Sequence, residues 1–348
     1  MKRYGNLYKK IIDLDNIREA HKQARKGKRH YREVKMVDSD PDYYLGQIHE
    51  MLVNQTYEVG KYEVKHITDR GKEREIHKLP YYPDRIIQWA ILLQTAEIFQ
   101  KSMVDCTCSS IKGRGGRKSS NLVAKYLKND NAVYCLKFDI KKYYPNVDHK
   151  ILKTLLRRKF KDKNLLRLFD LIIDSYPEEK GIPIGSYSSQ YFGNFYLSPF
   201  DHWLKETKKV KYLIRYMDDI VIIHNSKEFL HTLLSEIESF LHEHVGLKVK
   251  KNWQIFPINA RGIDFVGYRH FKKFKLLRKS ISNNYKKRMN EVKEMLDKDC
   301  LTEHVWRSAQ SYKGWVQNCD SYRLREKYND PVANGLIEFH KKLKEEVI

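Results

Sequence analysis

Two adjacent aspartates, Asp218 and Asp219, lie in the middle of an apolar stretch and are the clearest candidates for chemistry in this sequence. The stretch at 212–223 reads YLIRYMDDIVII, and its alternation predicts two strands joined by a turn that carries both acids. Tight hairpin turns favour glycine, which is missing here, so we expect backbone strain at this turn. Because neighbouring carboxylates repel each other, a divalent cation is their natural partner.

A third aspartate, Asp139, ends a predicted strand at 133–140, and the alternation places it with Lys137 on the face away from the core. It precedes Asp218 by 79 residues, so the acids meet only if their strands are neighbours in one sheet. Converging carboxylates could hold two divalent ions about 3.5–4 Å apart, which is the arrangement for nucleotidyl transfer. The alternative is that they are unrelated surface aspartates.

Charge is the second strong signal. The 348 residues include 67 Lys or Arg against 44 Asp or Glu, a net charge of +23. Residues 1–35 hold 12 basic against 4 acidic residues, and residues 269–293 hold 10 against 1. A surplus of this size favours nucleic acid over an ordinary metabolite as the partner, although a surface charged for solubility is the alternative.

The cysteines and the hydropathy favour a cytoplasmic protein with no membrane partner. No stretch reaches the ~18 apolar residues of a membrane helix, and the first residues do not resemble a targeting segment. The spacing of the five cysteines predicts neither a disulfide framework nor a zinc site, so we expect reduced thiols at positions 106, 108, 135, 300 and 319.

The elements that position the acids are mixed helices and strands. Strand patterns occur at 57–67, at the start of 72–99, and at 133–140, 247–253 and 263–268. Helical spacing occurs at 7–24, 41–52, in the later part of 72–99, and at 149–161, 165–176, 191–204 and 229–244. From about Lys279 onward only basic amphipathic helices are predicted, which indicates a separate helical appendage.

Several ordered motifs resemble those of reverse transcriptases. They are FDIKKYYPNVDH at 138–149, GIPIGSYSSQ at 181–190 and YMDD at 216–219. KEREIHKLPYYPDRIIQ resembles the fingers segment of that family, IKGRGGRKS its basic loop, and IDFVGY at 263–268 its primer-grip strand. The resemblance covers nearly the whole chain and implies an α+β right-hand polymerase. Its parts would be an N-terminal extension with fingers at 1–100, an antiparallel palm at 101–277 with inserted fingers helices at about 148–187, and a helical thumb at 278–348.

The resemblance also implies residue roles. Asp139, Asp218 and Asp219 would be catalytic and, together with Ile140, would bind two Mg²⁺ ions, with Mn²⁺ as the alternative metal. Tyr144 would lie under the incoming sugar and reject a 2′-hydroxyl. The incoming nucleotide would also contact Lys72, Arg74, Ile184 and Gly185. Contacts to template or primer would come from Arg114, Gln190, Tyr216, Met217, Gly267 and Tyr268.

One departure separates this chain from most reverse transcriptases, which carry Gln-Gly and then Ser-Pro in the loop beneath the templating pair. Here the same places are Ile184-Gly185 and Ser189-Gln190, a combination that resembles the enzymes of diversity-generating retroelements. That subgroup, encoded by bacteria or phages, copies a structured RNA unfaithfully at adenines, and the cDNA diversifies a target gene. The implied partners are template RNA, the RNA/cDNA hybrid, dNTPs and a small, basic, oligomeric accessory variability protein.

Two alternatives stay open. A retron-like or antiviral-defence reverse transcriptase would use the same motifs to make a different product. A ribonucleoprotein module that binds RNA without polymerising would keep the fold, although the intact Asp139, Tyr144, Asp218 and Asp219 argue against such decay.

We predict that Ile184→Gln lowers misincorporation opposite template adenine, because the amide restores a hydrogen-bonding group near the nascent pair and tightens its geometry. Sequencing of cDNA made by both proteins checks this, with errors opposite the other template bases as the internal control. An unchanged error spectrum would contradict it.

Overall fold

The computed structural model describes residues 2–69 and 72–345, without the side chains of Asp69, Lys72 and Arg74. Helices and strands are mixed, as the α+β prediction required. The chain divides into two compact units, the first of Met1–Gly113, Phe138–Ile220 and Thr232–Trp253, and the second of Arg114–Lys137, Val221–His231 and Gln254–Ile348. No helix in the described ranges has the length and hydropathy needed to cross a bilayer.

The α-helices follow one another along most of the chain. In order they are α1 Tyr8–Ile11, α2 Leu14–Ala24, α3 Arg32–Ser39, α4 Pro41–Val53, α5 Ile86–Lys101, α6 Gly116–Leu127, α7 His149–Lys159, α8 Lys163–Asp174, α9 Tyr187–Tyr196, α10 Ser198–His202, α11 Lys227–Val245, α12 Ile258–Arg261, α13 Lys279–Asp297, α14 Glu303–Val316, α15 Tyr322–Tyr328 and α16 Ala333–Glu345. Short π or 3₁₀ turns lie at Tyr81–Arg85, Tyr144–Asn146, Trp203–Thr207 and Asp330–Val332.

Within the described residues the strands form three sheets. They are β1 Glu63–Asp69, β2 Lys72–Lys78, β3 Tyr134–Asp139, β4 Tyr212–Tyr216, β5 Asp219–His224, β6 Gln254–Pro257, β7 Ile263–Phe265, β8 Tyr268–His270 and β9 Lys275–Leu277. β1 and β2 pair antiparallel, the order β4-β5-β3-β6 forms a four-stranded sheet, and β7-β8-β9 forms a three-stranded one.

Local capping decides where the N-terminal helices begin. The sequence predicts one helix over 7–24, but the structure has two. The Asp13 carboxylate accepts hydrogen bonds from the backbone N–H groups of Asp15 and Asn16, so a new helix starts at Leu14. The predicted helix with proline at its start is confirmed as α4.

Helix α5 runs through the middle of the first unit and is buried on most of its surface. The Phe99 ring near its end lies at the centre of an aromatic cluster, with ring centroids 5.1–6.3 Å away. These rings come from the segments around α7, α8 and α9, so burial of this one side chain joins four parts of the chain. The neighbouring rings are Phe160, Phe169, Phe192 and Phe195.

The prediction of a strand at 247–253 is wrong. Within that stretch the backbone makes an isolated bridge between Val249 and Ile140, and a turn at 251–252 interrupts any ladder. The strand itself is β6, which pairs antiparallel with β3 and places Ile255 opposite Leu136.

Two other boundaries also differ from the prediction. The strand expected at 263–268 is the hairpin β7–β8, because Val266 and Gly267 have φ values of 41° and 85° and reverse the chain. The helix expected at 191–204 begins at Tyr187 as α9 and gives way to α10 after Tyr196.

Between Lys279 and Glu345 the structure contains helices and no strand, which confirms the prediction for the described part of this segment. Helices α13 to α16 surround a common apolar core, with the Tyr285 ring completely buried. Other members of this core are Met289, Val305, Val316 and Leu336.

We predict that this protein loses stability as the pH falls from 6.5 toward 4 because of His270. Burial, assisted by the positive charge of Lys275, lowers the pKa of its fully buried imidazole from 6.5 to about 4. In this range the unfolded chain binds a proton that the folded chain does not, so stability decreases by up to ~1.4 kcal/mol per pH unit.

Urea unfolding at pH 7 and pH 5 measures this difference in the wild type and in His270→Gln, whose pH dependence should be smaller. His304→Gln, at an exposed histidine of the same unit, is the control and should behave as the wild type. Equal pH dependence in all three proteins would refute the assignment to His270.

Candidate active site

The turn between β4 and β5 carries the two adjacent aspartates and has the strain that the sequence predicts. Met217 has φ of 59°, in the left-handed region that residues other than glycine seldom adopt. Its carbonyl oxygen accepts a hydrogen bond from Nη1 of Arg215 at 2.9 Å. The strained backbone of Met217, which immediately precedes Asp218, is therefore stabilised by the Arg215 side chain of strand β4.

Arg215 is itself fixed in an entirely buried network. Arg215, Asp201 and Asn194 are each 0% exposed, and the Arg215 guanidinium donates to Asp201 oxygens at 2.8 and 2.6 Å and to the Asn194 carbonyl at 3.1 Å. Burial alone would lower the pKa of Arg215, but the charge and hydrogen bonds of Asp201 outweigh it and hold the pKa above its ordinary value. The side chain that holds the Met217 carbonyl is therefore a guanidinium that stays charged.

The backbone brings Asp139 beside the turn. The N–H of Ile140 donates to the carbonyl oxygen of Asp218 at 3.3 Å, and the N–H of Lys250 donates to the carbonyl oxygen of Asp139 at 2.8 Å. Strand β3 therefore ends next to the start of β5, as the four-stranded order requires. Asp139, Asp218 and Asp219 are half-buried, so these residues of the sheet keep part of their surface exposed to solvent.

Tyr144 lies against the same turn. Its hydroxyl is 3.7 Å from Sδ of Met217, and burial together with the negative charge of Asp218 raises the pKa of its phenol. The phenol therefore stays protonated and uncharged, and the ring can make van der Waals contacts. Its neighbour Tyr143 is buried and donates to the carbonyl of Gly193 in α9, which fixes the start of the short Tyr144–Asn146 turn.

Carboxylate oxygens at two adjacent strand ends are the hard ligands that Mg²⁺ prefers, so Asp139, Asp218 and Asp219 suit this metal chemically. Within the described residues, no group of three or more His, Cys, Asp or Glu side chains lies close enough together to hold a metal ion. The ligand set, including Ile140, stays a prediction.

The loop before α9 packs on the hairpin strand β2. The carbonyl of Ile184 accepts a hydrogen bond from the His77 N–H at 2.9 Å. Gly185 has φ of 116°, and a Cβ there would lie 2.8 Å from Cγ2 of Ile76 and 3.1 Å from the His77 carbonyl oxygen. Only glycine allows this approach. The structure thus joins the loop to the strand that contains Lys72 and Arg74, whose side chains lie outside the described part of the chain.

A family comparison decides what kind of protein has this site. Residues 65–270 match the model of the reverse transcriptase (RNA-dependent DNA polymerase) family. The chain belongs to the reverse transcriptase family. The matched residues include both aspartate-bearing strand ends, Tyr144 and the loop at Ile184.

Individual relatives of this reverse transcriptase are distant. It is 21% identical over 253 residues to a putative COX1/OXI3 intron 2 protein of Saccharomyces cerevisiae, covering 53% of this chain and 29% of that protein. The fold resembles Candida albicans telomerase in complex with a fragment of telomeric RNA, with a TM-score of 0.50, 13% identity, and 82% and 56% of the two chains covered.

Apo telomerase from Candida tropicalis gives a TM-score of 0.47 at 15% identity, over 78% of this chain and 60% of that one. The reverse transcriptase spans less than two thirds of the length of each of these proteins. The family match and the similarity to the Candida albicans enzyme confirm the right-hand polymerase fold with an antiparallel sheet and helices.

The remaining predicted contact residues of this reverse transcriptase have varied surroundings. Tyr216 and Met217 immediately precede the two adjacent aspartates, and Gln190 is exposed in α9. Arg114 precedes α6 in the second unit, where Gly267 and Tyr268 also lie. A Cβ on Gly267 would overlap the Trp315 ring of α14, and the Tyr268 hydroxyl donates to the Trp315 carbonyl at 3.1 Å, so both residues tie the β7–β8 hairpin to a C-terminal helix. Their roles toward template or primer stay predictions.

Sequence reasoning missed the residues that support the turn, namely Arg215, Asp201 and Asn194. One signal was available, because Arg215 is the single charged residue in the apolar run that precedes the turn. A charged side chain at that place is costly unless it is paired, and the pairing partner can be found only in the folded chain.

We predict that Arg215→Met lowers the free energy of unfolding by about 3–5 kcal/mol, because it leaves the Asp201 carboxylate buried without its partner. Urea unfolding measures the loss. Arg307→Met, at an arginine that is 71% exposed and paired with Glu303, is the matched control and should cost less than about 1 kcal/mol. Equal losses in the two variants would show that the buried pair is not the support described.

Proposed function

We propose that this chain is an RNA-directed DNA polymerase, a nucleotidyltransferase that makes cDNA from a structured template RNA. The observation that carries the proposal is the contact between Ile140 and Asp218, which unites the two aspartate-bearing strand ends within a reverse transcriptase domain. The proposed layout is an N-terminal extension and fingers at 1–100, a palm at 101–277 and a thumb at 278–348.

In the proposed reaction the 3′-hydroxyl of the primer attacks the α-phosphorus of a dNTP, and pyrophosphate leaves. Asp139, Asp218 and Asp219 are the proposed holders of divalent ions, which when bound would offset the charge of the reacting phosphates. The half-buried position of these residues supports this role, since their backbone belongs to the sheet and part of their surface stays exposed. Arg215 and Asn194 act indirectly, by fixing the backbone from which Asp218 and Asp219 project.

Substrate selection is proposed to follow from the residues around the turn. Tyr144 packs against Met217 and stays neutral, so its ring would exclude a ribose 2′-hydroxyl by shape and without charge. Ile184 and Gly185 would lie under the nascent pair, and the attachment of this loop to β2 supports a common nucleotide site with Lys72 and Arg74. The basic pair would offset the charge of the triphosphate.

The proposed nucleic-acid partners are the template RNA and the RNA/cDNA hybrid. The net charge of +23 and the basic clusters near both ends of the chain support a polyanionic partner. Gln190, which is exposed in α9, and Arg114, which precedes α6, are among the proposed contacts to these partners.

At a finer level, we propose that the enzyme is of the diversity-generating type, encoded by a bacterium or phage, error-prone at template adenines and assisted by a small basic accessory variability protein. The support is the pair of departures at Ile184-Gly185 and Ser189-Gln190. A nearby pair of imperfect DNA repeats that differ only at adenines, next to a small basic reading frame, would strengthen this assignment. A lone retron RNA in their place would overturn it.

We predict that Asp218→Ala abolishes primer extension on an RNA template with Mg²⁺ and dNTPs, by about a thousandfold or more, since loss of a metal ligand removes several kcal/mol of transition-state stabilisation. Asp130→Ala is the control, because Asp130 is exposed and lies just before the β3 strand that ends at Asp139.

Full activity in Asp218→Ala would refute the proposed catalytic site. If wild type and variant both incorporated nothing while binding the RNA equally, with the accessory protein supplied, a non-polymerising RNA-binding module would be the better description.

A further inference from the structure

Helix α9, which starts immediately after the Ile184-Gly185 loop, has no N-cap side chain of its own. The amide oxygen of Gln88, in helix α5, occupies that place instead. It accepts hydrogen bonds from the Ser186 hydroxyl at 3.0 Å, the Tyr187 N–H at 3.0 Å and the Ser188 N–H at 3.4 Å. One side chain from a distant part of the chain therefore satisfies the first N–H groups of α9, which have no partner within the helix.

The contact is shielded from water. Gln88 is 2% exposed, Ser186 4% and Ser188 2%. Water is excluded and cannot replace the lost acceptor, so the N–H groups of α9 would be left unpaired without Gln88. The partly negative oxygen also lies at the positive end of the helix dipole.

Gln88 is one of two anchors that hold the loop. On one side, the Ile184 carbonyl is bonded to His77 of β2, and Gly185 fits against Ile76 with no room for a side chain. On the other side, besides the Gln88 contacts, the Tyr187 ring stacks on the Trp89 ring with centroids 4.3 Å apart. Residues 184–188 are therefore clamped between a strand of the hairpin and the long helix.

We propose that Gln88 is a positioning residue for nucleotide selection: by capping α9 it fixes the height of Ile184 and Gly185 beneath the incoming nucleotide. This inference rests on the proposed polymerase function. The hydrogen bonds of Gln88 go to Ser186, Tyr187 and Ser188, so it acts through the loop.

The test compares steady-state primer extension by Gln88→Met, Gln88→Glu and Gln94→Met on an RNA template with a DNA primer. Methionine preserves the volume and removes the acceptor, whereas glutamate keeps an oxygen that can accept the same three hydrogen bonds. Gln94 lies on the same helix and bonds to Asn16, away from the loop, so its replacement is the matched control.

We expect Gln88→Met to raise the KM for dNTPs about fivefold, the size expected for loss of a helix cap, while kcat changes less than about twofold. Gln88→Glu should restore the wild-type KM, and Gln94→Met should match the wild type. Ser186→Ala, which removes one of the three donors and perturbs packing little, should raise KM in the same direction and decides the matter if Gln88→Met fails to fold.

The proposal is overturned if the KM for dNTPs in Gln88→Met, or in Ser186→Ala where the former is unfolded, equals that of the wild type. It is also overturned if kcat, KM and the melting temperature change together in both Gln88 variants, since that pattern indicates general damage to the fold. An inactive wild type refutes the proposed function and this inference with it, whereas an active wild type with unaffected variants refutes this inference alone.

Discussion

The buried ion pair between Arg215 and Asp201 is the constraint on which the rest of the site depends. Burying two unit charges away from solvent carries a large desolvation free energy. The attraction between Arg215 and Asp201 and their hydrogen bonds to neighbouring groups offset this cost. Asp201 also accepts from the Thr107 hydroxyl at 2.8 Å, and the backbone of Arg215 bonds in both directions to Cys106 and Cys108. The pair thus joins α10, strand β4 and the segment after α5.

The same guanidinium explains how the strained turn persists. A left-handed Met217 costs of order 1 kcal/mol or more, and such strain is retained only where the surroundings specify it more than once. Here the Met217 carbonyl is held by Arg215 and its sulfur is packed against Tyr144. The turn that precedes Asp218 and Asp219 is thus held at two places, at its backbone and at the Met217 side chain.

The loop at 184–188 is also held by contacts that are remote in sequence. Gln88 of α5 and His77 of β2, each about 100 residues earlier in the chain, hydrogen-bond to it. Its contacts with β2 and α5 couple the β1–β2 hairpin to the buried helix of the first unit. Helix α9 has Ser186 and Gln88 at its start and Asn194, which receives Arg215, near its end. The loop at 184–188 and the turn at 217–218 are therefore both attached to α9, one at its start and the other near its end.

The sequence alone was sufficient for what depends on local pattern and on ordered motifs. The YMDD hairpin, the strand that ends at Asp139, the C-terminal run of helices and the right-hand fold could all be predicted, because alternation, helical spacing and chemistry-bearing motifs are contained in short stretches.

Tertiary structure decided the boundaries and the supports. Helix α9 starts at Tyr187 and not at Tyr191 because its cap is supplied by Gln88, 98 residues before Ser186. Residues 247–253 are not a strand because their pairing is limited to an isolated bridge between Val249 and Ile140, and a turn at 251–252 separates that bridge from β6. Arg215 could be recognised as unusual from its apolar neighbours, but its pairing with Asp201 is a contact across the fold. A hydrogen-bond acceptor or counter-charge that is remote in sequence leaves no local signal, and only the folded chain places it.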